Sequence, residues 1–160
     1  MKRSVFLMGF LAFYLLAVQP AVGSSPTIVG QVSGVELCPQ FACGAAIFTG
    51  TCDCTVDGRH TVGFFWVAVQ HDPLPQPFHS SSIFGGNWTL TTLRGKFSGN
   101  VLGGNIFNKN DKSFTITATL RLEKGGTGDV VVTGLLDHKE FPPTFEGELG
   151  QSEFQGAVLK

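Results

Sequence analysis

Four cysteines, Cys38, Cys43, Cys52 and Cys54, lie within one short stretch of a 160-residue chain that has no others. Their spacing, C-x4-C-x8-C-x-C, lacks the paired C-x2-C knuckles of common zinc ribbons, and thiolates are hard to keep reduced outside the cytoplasm. An even number of cysteines then reads as disulfides, with no metal and no cofactor expected. Pairing Cys38 with Cys43 would force Cys52 onto Cys54, two residues away on one strand face. The expectation is therefore two crosslinks joining the 38–43 segment to the 52–54 segment.

The second cluster is a proline-rich loop from His71 to His79, with Asp72, Pro73, Pro75 and Pro77 inside it and Ser80, Ser81 and Ser82 after it. A metal site from His71, Asp72 and His79 needs a sharp bend, because polyproline geometry would separate the two histidines by roughly 25 Å at 3.1 Å per residue. A stiff loop loses little entropy on binding, so His71 and His79 are candidate recognition residues, while the loop reads first as a plain connector between two strands. A serine nucleophile with His60, His79 or His138 as base has no G-x-S-x-G elbow to present it. Asp137-His138-Lys139-Glu140 ends at Pro142-Pro143, a pair that fixes a turn, and alternation sends Asp137 and His138 to opposite faces. An acid–base enzyme would draw on His71, Asp72, His138 and Glu140.

Around these residues the chain alternates apolar and polar positions with a period of two, the pattern of half-buried strands. In Ser113–Leu122, Phe114, Ile116, Ala118, Leu120 and Leu122 share one face, and Thr115, Thr117, Thr119 and Arg121 the other. Further strands are expected at 27–37, 45–51, 60–70, 87–93, 95–102, 104–107, 128–136, 144–149 and 153–159. Turns are expected at Asp57-Gly58, Gly103-Gly104, 108–111 and 125–128. The fold class is all-β, an antiparallel β-barrel or β-sandwich of roughly 8–10 short strands. Glycines inside strands (Gly30, Gly34, Gly95, Gly99, Gly134) favour the barrel slightly, as points where a closing sheet bends.

Phe64, Phe65 and Trp66 break the alternation, which fits either a strand covered on both faces or an exposed aromatic patch. Asn87-Trp88-Thr89 matches the N-glycosylation pattern. Gly86-Asn87-Trp88 resembles the G-x-W of calycin barrels such as lipocalins and avidins, where it opens the first strand; here it stands well inside the chain. The resemblance implies a barrel packed around Trp88 and transfers no ligand residues. Trp88 and Trp66 are candidate binding aromatics, Trp88 reading first as a core anchor.

Residues 1–23 have a basic start (Lys2, Arg3), an apolar run from Val5 to Val18 and a small-residue exit at Ala21-Val22-Gly23, the order of a cleavable signal peptide. The run is shorter than the ~20 residues that span a bilayer. One β-domain, 24–160, is expected to be secreted or periplasmic. With a formal net charge of −1, the chain is not built for nucleic acid. The leading expectation is a disulfide-stabilised, non-catalytic domain that recognises an extracellular protein or a small ligand by surface or pocket. Its rivals are a calycin-like barrel carrying a small apolar ligand, lined by residues such as Trp88, Phe114, Ile116 and Leu120, and a small-barrel enzyme.

Overall fold

A computed structural model describes residues 25–151, so the signal peptide expected at 1–23 and the strand expected at 153–159 lie outside the described residues. Eight antiparallel strands run in chain order: β1 (Ile28–Cys38), β2 (Ala46–Val56), β3 (Arg59–His71), β4 (Ser80–Thr92), β5 (Gly95–Asn108), β6 (Ser113–Leu122), β7 (Gly128–Asp137) and β8 (Thr144–Gln151). A single helical turn, α1 (Gln40–Cys43), sits between β1 and β2. Each strand pairs with the next, and β1 also pairs with β8, which closes the sheet into a barrel. Closure settles the choice between barrel and sandwich. It also removes the free edges that an open sheet would expose.

The alternation dictates what fills the barrel. On β6 the five apolar residues of one face are buried, and Thr115, Thr117, Thr119 and Arg121 lie on the other. Val32 on β1, Leu90 on β4, Val130 on β7 and Phe145 on β8 complete the same core. The inner face is apolar, and the outer face is mixed, with Phe64, Trp66, Phe84 and Phe107 exposed among polar residues. Among the described residues no helix is long and apolar enough to cross a membrane.

The strand glycines act where backbones approach. Gly34 faces Gly50 across the β1–β2 pair, and a Cβ on either would fall 2.1–2.2 Å from a carbonyl oxygen of the opposite strand. Only glycine fits both positions.

Two expectations need correction. Gly103-Gly104 is not a turn: it lies within β5, which continues past a bulge between Val101 and Gly103 while β6 pairs without a break. The cysteines pair locally, Cys38 with Cys43 and Cys52 with Cys54, with Cα–Cα separations of 6.1 and 5.6 Å. Register explains why the two segments are not joined. Cys38 sits opposite Ile47, and Cys52 lies five residues further along β2, about 17 Å away at strand rise. A disulfide needs Cα atoms within about 7 Å. The two pairs suit an oxidising compartment.

Candidate functional site

The barrel has two unlike ends. At one, the turns Asp57-Gly58 and Leu93-Arg94 and the β6–β7 connection close over apolar side chains. Thr27 and Asp57 exchange bonds there, the Thr27 N–H donating to Asp57 Oδ1 and the Asp57 N–H to the Thr27 carbonyl, each at 2.9 Å. The N–H groups of Glu123 and Lys124 both donate to the Ser98 carbonyl. Trp88, 4% exposed, packs inside this half, and its indole N–H donates to the Arg121 carbonyl at 2.9 Å. The indole on β4 thereby spans β5 to reach β6. It can do so because Gly99 stands opposite Trp88 on β5, and a Cβ at Gly99 would fall 2.0 Å from that same Arg121 oxygen. The space left beside Trp88, Leu90, Ala118 and Leu120 is only about 50 Å³, with an entirely apolar lining. That suffices for a water-sized void and not for a carried molecule. Of the lining expected for a ligand carrier, Trp88 and Leu120 face this packed space, Ile116 borders both it and the space toward the other end, and Phe114 is buried but lines neither.

At the other end the barrel stays hollow. A chamber of about 440 Å³ lies under the mouth, floored by Phe48, Val69 and Ile116 and walled by Ile83, Ile106 and Leu136. Small-ligand sites run from about 300 to 1,000 Å³. Three titratable side chains line the chamber: Glu36, His71 and His138. Each continues the inward alternation of its strand toward the mouth, Glu36 after Val32 and Gly34, His71 after Phe65, Val67 and Val69, His138 two residues beyond Leu136. Val35 and Asp137 both stand opposite Thr144 on β8. Glu36 and His138 therefore meet across the start of β8, with His138 Nε2 3.2 Å from Glu36 Oε2. The imidazole is held beside the Phe114 ring, centroid to centroid 5.0 Å.

The rim is built from side-chain bonds to the backbone. The Gln40 amide makes two bonds to His71, Nε2 donating to the His71 carbonyl and Oε1 accepting the His71 N–H, each at 2.7 Å. The Cys38–Cys43 bridge encloses Gln40 and holds α1 against this wall. Opposite, buried Asn108 ties down the proline loop. Its Nδ2 donates to the Pro75 carbonyl at 2.7 Å, its backbone accepts the Phe78 N–H, and its Oδ1 accepts the N–H groups of Asn110 and Asp111. Pro73 and Leu74 of that loop reach into the chamber lining. The proline segment is thus a fixed lid.

Of the residues singled out from sequence, the structure brings His71 and His138 into one chamber. His79 is exposed, with Nδ1 on the Pro77 carbonyl, and does not join His71. Asp72 and Glu140 are exposed in mouth loops outside the chamber. Among the described residues, no three His, Cys, Asp or Glu side chains are grouped to hold a metal ion. Phe65 points inward, while Phe64, 71% exposed, and Trp66 lie on the outer face of β3, so the broken alternation marks an aromatic surface patch. Asn87 is exposed on the outer face of β4. Glu36 is the residue that sequence reasoning missed. Its signal was present: it stands in phase with Ile28 and Val32 on an expected strand.

Comparison with protein-family models, with curated proteins and with solved structures finds no match to this chain.

Proposed function

We propose that the protein is a secreted or periplasmic binding barrel that takes one small, largely apolar molecule into the mouth chamber. The observation that carries this reading is the chamber itself: about 440 Å³ of space in a barrel whose other half is packed nearly solid. Apolar walls supply affinity by surface burial, and a few polar groups at the rim supply orientation. The lid and α1 are already bonded in place, so little ordering is left for the ligand to impose.

The test is titration with the neutral dye N-phenyl-1-naphthylamine, followed by its emission. Saturation at one equivalent is expected, with loss of binding in Ala46→Phe, which places a ring where the buried Ala46 lines the chamber. Phe64→Ser on the outer patch should bind as the wild type does. The reverse pattern, binding that survives Ala46→Phe and disappears with Phe64→Ser, would move the binding site to the outer surface of β3.

A second reading has an observation of its own. The Glu36–His138 contact beside His71 is an acid–base arrangement in a shielded chamber. It predicts turnover of some substrate with a bell-shaped pH profile that His138→Asn abolishes while the thermal midpoint holds.

A further inference from the structure

We infer that the ligand of the mouth chamber carries an amine, held as an ammonium by the Glu36 carboxylate. This rests on the binding reading above and adds the chemistry of the head group.

Glu36 is 6% exposed and lines an otherwise apolar chamber. Placing a carboxylate there is costly unless its oxygens find donors. A carboxylate has about four acceptor positions. The group nearest one of them is His138 Nε2 at 3.2 Å, and it is off line: that nitrogen has no aligned hydrogen-bond partner among the described residues. The other polar groups of the chamber do not supply the deficit. Both ends of the Gln40 amide are engaged with the His71 backbone. The Nδ1–H of His71 donates to the Asp72 carbonyl, so that nitrogen is not free for Glu36. Among the described residues no lysine or arginine lines the chamber.

The chamber therefore presents one carboxylate, with His138 Nε2 off its line and no lysine or arginine among the described lining residues. A carboxylate or phosphate head would meet Glu36 with the same sign and find no lysine or arginine there to oppose it. A hydroxyl brings one donor, whereas an ammonium brings three donors and the opposite charge. The apolar floor of Phe48, Val69 and Ile116 suits an aromatic or aliphatic body behind that head.

The test uses three probes with one body: 2-(1-naphthyl)ethylamine, 2-(1-naphthyl)ethanol and 1-naphthylacetate, titrated calorimetrically into the full mature protein at neutral pH. The amine should bind at least about tenfold more tightly than the alcohol, as a charge-assisted hydrogen bond requires, and the acid more weakly than both. In Glu36→Gln the amine and the alcohol should converge to within about threefold, the amine losing the larger share of its affinity. Equal binding of amine and alcohol to the wild type overturns the amine assignment and leaves the binding chamber standing. So does a preference that survives Glu36→Gln. Absence of binding by all three, together with no dye binding, overturns both. The wild-type comparison decides the matter even if Glu36→Gln does not fold.

Discussion

The two halves of the barrel obey one alternation rule and end differently. Toward the closed end the inward positions are Ile28, Leu90, Phe97 and Leu122, with the Trp88 indole bonded across β5. Toward the mouth the inward positions run out in Glu36, His71 and His138. The first half buries apolar area and satisfies its one large polar handle, which is what stability needs. The second half holds polar groups whose hydrogen bonds are not completed from within, an arrangement that costs stability and suits recognition.

That contrast can be broken most directly at Trp88. Replacing it with alanine should cost about 3–5 kcal/mol in urea unfolding, since a buried ring is lost and the Arg121 carbonyl is orphaned. Glu36→Gln should cost less than about 1 kcal/mol; equal losses would mean that the mouth also carries the fold.

A smaller effect is expected at the lid. Asn108→Ala removes the bonds to Pro75, Asn110 and Asp111, which should cost about 1–3 kcal/mol. The Phe78 amide should then exchange with solvent faster while amides of β6 keep their protection. Uniform loss of protection would show the lid to be part of the main cooperative unit.

The double change Glu36→Leu with His138→Leu sharpens the comparison from the other side. Replacing both members of a buried polar pair with apolar side chains of similar size can be nearly neutral or stabilising. A thermal midpoint equal to or above the wild type, with amine binding gone, is the expected result. A marked fall in midpoint would make the pair structural.

The smallest effect concerns Asp137, just outside the mouth. The backbone N–H and the ammonium of Lys139 both donate to its carboxylate, at 2.9 and 3.0 Å, and hold its pKa below the ordinary value. The folded value is the lower one, so the stabilisation is present above the ordinary carboxylate range and lost as pH falls through the folded value. Asp137→Asn should be slightly less stable than the wild type near neutrality, the gap closing below about pH 4. A gap that persisted in acid would assign the effect to something other than charge.

Much of the fold was legible because alternation is local. Phe114 to Leu122 declared their inward face, whereas His71, read as the start of the proline loop, is the buried last residue of β3. Glu36 was legible by the same alternation, although a lone carboxylate in an apolar phase also fits a solvated strand end. Gly103-Gly104 misled because a glycine pair serves a bulge as well as a turn. The cysteine pairing misled because strand register, which sets how far apart the two segments lie, follows from no spacing in the chain.

By itself, then, the order of residues determined that the chain is all-β, which face of a cleanly alternating strand such as Ser113–Leu122 turns inward, and that its cysteines come in pairs, since each of these depends on neighbours a few positions away. Only the tertiary structure decided that Trp88 belongs to a solid core and that Glu36, His71 and His138 share a hollow one. Those outcomes depend on β1 returning to pair with β8. Closure brings the first and seventh strands to either side of the eighth, and no local pattern encodes which distant strand ends will face each other.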